Sequence, residues 1–412
     1  LGQLHYHTRS AHNEANSLFF YDDAMTQPAQ LTLPPLSLYV HIPWCVRKCP
    51  YCDFNSHGVR GELPVDAYID ALLADCSVDR HFAQQRPIHS VFFGGGTPSL
   101  LPGKAIARLL DGLRERLDFT HDCEITLETN PGTAEYSNFA DYRTAGVNRI
   151  SLGAQSFNAL QLQQLGRIHQ PENIQNAFTQ ARNAGFDNIN LDLMFALQGQ
   201  SYADAMRDLE AAIALEPEHI SWYQLTIEPN TAFYSNPPSL PDDDTSWEIQ
   251  QAGIERLAAA GYAQYEVSAY ARPGKQAAHN INYWEFGDYM AIGAGAHGKI
   301  TWPDESRIER YQKTRLPDHY LAAAQPCAFT SHRETLAAHN LPFEFMMNAL
   351  RLNQGVASQL FTARTGLTLA SLEPQLTVLR EKGLLGTDPQ RLCATAMGHQ
   401  YLNSLLESLL PD

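Results

Sequence analysis

The sequence predicts an α/β protein: an open, partial (β/α)6 barrel followed by a smaller, mainly helical C-terminal domain of winged-helix type. From Leu36 to about Thr226, short β-branched apolar runs alternate with stretches whose apolar residues fall three or four apart, the signature of repeated β-α units on a parallel sheet. Six such runs are found, fewer than the eight that close a full barrel, so one side stays open to a large substrate. Beyond about Leu341 the pattern changes to short helices.

Residues 1–35 are rich in His, Asn, Ser and Gln and end in Pro34-Pro35, which reads as a poorly ordered N-terminal extension with solvated His5, His7 and His12. The strands expected next are Leu36–His41, Ser90–Phe93, Glu124–Glu128, Asn148–Leu152, Asn188–Met194 and Ile220–Thr226. Between them lie helices marked by Tyr68, Leu72, Leu73 and Cys76, by Ile106, Leu109, Leu110, Leu113 and Leu117, and by Ile174, Ala177, Phe178 and Ala181 before a capping Gly185. From Asp242 to Lys299 a helix (Trp247, Ile254, Leu257, closed at Gly261) precedes aromatic and Gly-rich segments that extend the sheet, so the barrel domain spans 36–300. Residues 301–340 read as a connecting segment. The C-terminal domain, 341–412, carries Phe345, Met346, Leu350, Leu402, Leu405, Leu406 and Leu409, with a turn-and-strand segment after Glu381–Leu385.

The chain has 412 residues, enough for two or three domains, and 44% of them are hydrophobic, which excludes wholesale disorder. Lys and Arg number 29 against 45 Asp and Glu, a net charge of −16 that repels phosphate backbones and argues against nucleic acid as a partner. No uncharged apolar run reaches the length of a membrane span and no secretory signal pattern opens the chain, so a cytoplasmic protein is expected.

Seven cysteines make no disulfide framework, but Cys45, Cys49 and Cys52 cluster as C-x3-C-x2-C directly after the first strand. Cys76, Cys123, Cys327 and Cys393 are scattered and read as small buried hydrophobes. Structural zinc takes four protein ligands, so zinc here requires His41, Asp53 or His57 to complete the set. Three thiolates suit a 4Fe-4S cluster whose fourth iron is open to a chelating small molecule.

In a (β/α) barrel the loops at the C-terminal strand ends converge on the active site. Those ends read Gly94-Gly95-Gly96-Thr97-Pro98, Glu128, Gln155, Asp192 and Glu228. The glycines let backbone groups approach a ligand without Cβ interference, and Glu128 can accept hydrogen bonds from sugar hydroxyls. A tight turn and a solvated strand end are the plain alternatives. Further on, His279 can ligate iron and Tyr283 and Trp284 offer flat apolar surface to a porphyrin, the alternative being a core histidine beside a packed aromatic pair.

These residues resemble the radical S-adenosylmethionine superfamily, marked by C-x3-C-x2-C and a Gly-rich segment at the next strand. Leu38–Cys45, Phe93–Ser99, Glu128–Thr133, Gly146–Ser151 and Leu165–His169 further resemble the oxygen-independent coproporphyrinogen III oxidase-like family, from about Leu36 to the C-terminus. Within it the chain is most similar to the heme chaperone branch. Phe54 stands where true oxidases carry a further Cys, and His279-Asn280-Ile281-Asn282-Tyr283-Trp284 matches the HNxxYW motif of the chaperones. One departure is Ala196-Leu197-Gln198, where the family has Gly-Leu-Pro after the fifth strand.

The resemblance implies that Cys45, Cys49 and Cys52 hold a 4Fe-4S cluster, that Tyr39, Tyr51, Gly95, Gly96, Thr97 and Glu128 contact S-adenosyl-L-methionine, and that Gln155, Arg167 and Asp192 line the same cavity. His279, Tyr283 and Trp284 are the heme candidates. The implied function is to bind heme and deliver it to apo-hemoproteins, respiratory ones included, with peripheral membrane association and a homodimer left open. The alternative is radical decarboxylation of coproporphyrinogen III propionates, for which Arg149, Arg167, Arg272 and Lys299 are available to hold carboxylates. A radical enzyme acting on RNA is disfavoured by the negative charge.

Overall fold

The computed structural model describes residues 30–132, 139–323 and 328–411. His5, His7, His12, Thr133 and Cys327 lie outside the described residues. The six expected strands form and pair in chain order: β1 (Leu36–Ile42), β2 (Ile88–Gly95), β3 (Phe119–Thr129), β4 (Arg149–Gln155), β5 (Ile189–Phe195) and β6 (His219–Gln224), all parallel. Both ends of this run are extended. Beyond β6 the sheet continues antiparallel through β8 (Ala269–Ala271) to β7 (Ala263–Glu266). On the other side β9 (Asp288–Ile292) pairs parallel to β1, followed by antiparallel β10 (His297–Trp302), β11 (Arg307–Lys313) and β12 (Thr330–Thr335).

Residues 301–340 therefore differ from the expected connection, since β11 and β12 belong to the barrel sheet. Their sequences, Arg307–Lys313 and the wholly polar edge strand Thr330–Thr335, are rich in charge and lack the continuous apolar run of a doubly covered parallel strand. Residues 31–35 also differ from a loose extension. Leu31 packs into the C-terminal core, the Thr32 amide donates to the Ala363 carbonyl, and the Pro35 carbonyl accepts from the Asp288 amide.

Helices cover the outer face. α1 (Val65–Asp79) buries Tyr68, Ile69, Leu72 and Cys76, α2 (Gly103–Arg114) buries Ile106, Leu109, Leu110 and Leu113, and α3 (Pro171–Asn183) buries Ile174, Ala177, Phe178 and Ala181. The last of these ends at Gly185, whose φ of +87° makes the left-handed turn a glycine tolerates. One continuous core joins these faces to the sheet. A second core, built on Phe345, Met346, Leu350, Leu376, Leu379, Leu405 and Leu406, defines the C-terminal domain and reaches across to Trp284 and Phe286. Its helices carry one two-stranded ribbon, Val356–Ala357 with Arg391–Leu392, as the turn-and-strand reading expected.

Candidate functional site

The cysteine loop leaves β1 at Pro43 and is tied into a short parallel pair, Trp44–Cys45 with His57–Gly58. The Cys52 amide donates to the Cys49 carbonyl, Lys48 Nζ donates to the Phe54 carbonyl at 2.9 Å, and Asn55 Nδ2 donates to the Ala294 and Arg315 carbonyls. All three thiols are unpaired by disulfides and partly exposed. Burial pushes the Cys52 thiol up to about 11 and raises that of Cys45.

The zinc alternative finds no support. His41 has both nitrogens engaged, Nδ1 with the Tyr39 hydroxyl and Nε2 with the Asn55 carbonyl, each at 2.8 Å. Among the described residues no group of three or more His, Cys, Asp or Glu is placed to hold a single metal ion. Zinc needs its donors to converge on one point. A cubane gives each thiolate its own iron and spreads the sulfurs apart.

The strand ends stand around this loop. The Gly95 amide donates to Glu128 Oε2 at 3.2 Å, and the Gly96 and Thr97 amides donate to the Ile42 and Trp44 carbonyls. A Cβ on Gly96 would collide with the Trp44 carbonyl, so the glycine lets β2 close directly onto the cysteine loop. Arg167 Nη1 points at Cys49 Sγ at 3.7 Å, while its Nη2 donates to Asn130 Oδ1 at 2.5 Å and to the Gly153 carbonyl at 2.9 Å.

Deeper in, Asp192 accepts from Ser151 and Asn190, both at 2.8 Å. Burial, with the Asp192 charge adding to it, pushes the Glu128 carboxyl up to about 8. Tyr39, Tyr223 and Tyr283 share this acidic neighbourhood, and Tyr51 sits between Arg167, Cys49 and Tyr223. Gln155, in a left-handed conformation at φ +60°, buries an Oε1 with no partner among the described residues. The structure thus collects Tyr39, Tyr51, Gly95, Gly96, Thr97, Glu128, Gln155, Arg167 and Asp192 around the cysteine loop. The Glu228 carboxylate accepts from the Thr226 hydroxyl and its carbonyl from that of Thr231, and none of these contacts reaches the cysteine loop.

The HNxxYW segment forms a short helix, α4 here (Ala278–Trp284 in sequence order after α3), and its residues face two ways. Glu124 on β3 caps it, accepting from the Ala278 amide at 3.0 Å and from His279 Nδ1 at 2.9 Å. The His279 ring lies 4.2 Å from that of Phe92 and edge-on to Tyr283, and Tyr283 meets Tyr289 at 4.8 Å. Trp284 corrects the expectation. One residue on from Tyr283 it is rotated by about 100°, so it packs into the C-terminal core under Arg351, away from His279.

Of the four basic candidates, Arg149 and Arg167 face the barrel. Lys299 is buried against Asp288, and Arg272 stacks on Tyr262. Ala196 keeps a left-handed turn at φ +55° where the resembled family has glycine. Asn130 is the functional residue the strand-end reading passed over. Its Nδ2 donates to Thr97 Oγ1 at 3.0 Å while its Oδ1 receives Arg167, bridging two site residues. Its place two residues after Glu128 was the available signal.

Comparisons with known proteins agree with this architecture. The Radical SAM superfamily model matches residues 39–212 and the HemN C-terminal domain model residues 336–401. The heme chaperone HemW of Escherichia coli (strain K12) is 51% identical over 380 residues, covering 92% of this chain and 99% of that protein. Heme chaperone HemW of Haemophilus influenzae is 47% identical over 384 residues, with 92% and 99% covered. The solved structure of coproporphyrinogen III oxidase (HemN) from Escherichia coli, described as a radical SAM enzyme, superposes with a TM-score of 0.77 at 25% identity, covering 95% of this chain and 93% of that one. With half its residues shared over nearly its whole length and the same two domains in the same order, the chain belongs to the HemW family of the radical SAM superfamily.

Proposed function

We propose that this chain binds heme inside its barrel through His279 and delivers it to apo-hemoproteins, with a 4Fe-4S cluster and S-adenosylmethionine held at the barrel mouth. The observation that carries the reading is the pairing of His279 with Glu124. A carboxylate accepting from Nδ1–H fixes the tautomer that leaves the Nε2 lone pair for iron and makes it more basic. Burial lowers the His279 pKa although Glu124 opposes it, so the ring is neutral and fit to ligate. Phe92 and Tyr283 supply the apolar walls.

The mouth fits the family's cofactors. Cys45, Cys49 and Cys52 would hold the cluster, which when bound supplies an electron for reductive cleavage of the sulfonium. Arg167 sets its positive charge against Cys49. Glu128 and Asp192 place carboxyl groups where a cationic sulfonium ligand would lie, and the unpartnered Gln155 Oε1 can accept from its polar end. Phe54 supplies no sulfur where the true oxidases of the resembled family carry another Cys.

No described helix is long and apolar enough to cross a membrane, so any membrane-bound recipient is met from the surface. The reading is tested by titrating heme into anaerobically reconstituted protein. A saturable Soret band, lost in His279→Ala, is expected, with coproporphyrinogen III left unconverted when S-adenosylmethionine and reductant are supplied. Turnover of coproporphyrinogen III, or undiminished heme uptake by His279→Ala, overturns it.

A further inference from the structure

The barrel floor holds a cation that no described carboxylate hydrogen-bonds, although Glu124 and Asp192 lie close enough to feel its charge. Arg149 opens β4, is 2% exposed, and shares its face with Ser151 and Gly153, whose polar groups meet Asp192 and Arg167 inside the barrel. Every other buried Lys or Arg among the described residues has partners. Lys299 donates to Asp288, Lys313 to Asp75 and Asp79, and Arg364 to the Glu285 carbonyl. The Arg149 guanidinium pairs with no described carboxylate, and its Nε has no hydrogen-bond partner. Leaving a buried cation without an acceptor is costly.

Its carboxylate neighbours form their hydrogen bonds with other donors. Glu124 receives Ala278 and His279, and Asp192 receives Ser151 and Asn190. His219 is closed on Asn190 Oδ1 at 2.6 Å and on the Tyr265 hydroxyl at 2.9 Å. Strand register then sets Arg149 beside Thr126, whose buried Oγ1 also lacks a partner, and continues the row through Phe92 to Tyr39. One end of this row is aromatic, with His279 tilted against Phe92; the other end offers a guanidinium and a hydroxyl.

The geometry points to Arg149, with Thr126 beside it, as the anchor for a carboxylate of the cargo: a tetrapyrrole propionate held at the barrel floor. This rests on the heme reading above and adds the polar half of the ligand to its apolar half. A planar fork of donors matches a carboxylate bidentately. Amino-acid carboxylates, including that of S-adenosylmethionine, share the chemistry and must be separated by experiment.

Ferric heme, heme dimethyl ester and S-adenosylmethionine are titrated into wild type, Arg149→Met, Arg149→Lys and Thr126→Val. The wild type is expected to bind heme about tenfold or more tightly than the ester, the span of one hydrogen-bonded charge pair. Arg149→Met abolishes that preference by weakening heme binding while leaving ester and S-adenosylmethionine binding unchanged; Arg149→Lys retains part of it, and Thr126→Val, which keeps its shape, reduces it. Equal wild-type affinity for heme and ester, parallel loss of both in Arg149→Met, or a loss confined to S-adenosylmethionine overturns the proposal. If Arg149→Met does not fold, the wild-type preference and Thr126→Val decide. A wild type that binds neither porphyrin overturns the heme reading itself, whereas heme bound through His279 with no effect of Arg149 overturns only this anchor.

Discussion

Glu124 and His279 stand 155 positions apart in sequence, yet the Nδ1–H of the histidine donates to the carboxylate at 2.9 Å, and the same carboxylate receives the amide that opens the histidine's own helix. One side chain thus fixes both the tautomer and the orientation of the imidazole. Removing it in Glu124→Ala should weaken heme binding roughly tenfold or more while His279 remains in place, in the range found when a metal ligand loses its orienting partner. Equilibrium heme titration checks this, and an unchanged affinity would show that the pairing serves only the fold.

The same pair sets an acid dependence. Burial acts to raise the Glu124 pKa, but the hydrogen bond from His279, the Arg149 charge and the Ala278 amide outweigh it and hold the carboxyl at about 2, below its ordinary 4.5. A depressed carboxylate stabilises the fold fully above its unfolded value and loses that contribution as pH falls from 4.5 towards 2, an effect of about 3 kcal/mol. Urea unfolding should find wild type more stable than Glu124→Gln at pH 7, with the gap narrowing below pH 4.5. A gap independent of pH would contradict this account.

Cluster and cargo are expected to separate genetically. Cys49→Ala should lose the iron and acid-labile sulfide of the reconstituted protein yet keep a Soret band on adding heme, while His279→Ala should show the reverse. Loss of both properties in each variant would mean that the mouth and the floor are one site.

Glu128 predicts a proton. With its carboxyl at about 8 it is mostly protonated at pH 7, and a sulfonium beside it favours the charged form. Binding of S-adenosylmethionine at pH 7 should therefore release close to one proton, read by calorimetry in buffers of different ionisation enthalpy. Glu128→Gln should show none. Buffer-independent heats in the wild type would exclude the linkage.

Ala196 occupies a left-handed turn at φ +55° that glycine adopts without a Cβ penalty. Ala196→Gly should raise stability by up to about 1 kcal/mol in chemical denaturation. Destabilisation would show that packing of the buried methyl outweighs backbone strain.

The parallel strands and part of the mouth were legible because they are local: the strands carry short apolar runs, and Glu128 and Gln155 sit at their ends, whereas Asp192, expected at an end, lies in mid-strand. What escaped depends on contacts between distant segments. The charged β11 and β12 resemble surface segments until β10 pairs with β11 and β11 with β12, and Trp284 looks like a partner of His279 until the helix turns it into the C-terminal core. Asn130 and Arg149 are ordinary polar residues in sequence, and only the folded barrel reveals one as a bridge and the other as a buried cation with no hydrogen-bonded carboxylate.

The short helix from Ala278 to Trp284 serves two cores with neighbouring side chains, His279 against Phe92 in the barrel and Trp284 in the C-terminal core, with Tyr283 touching both. Its spacing is therefore an angular constraint as much as a chemical one. Inserting or deleting a single residue between His279 and Trp284 would swing one of them by about 100° out of its seat, so the number of residues between them is fixed.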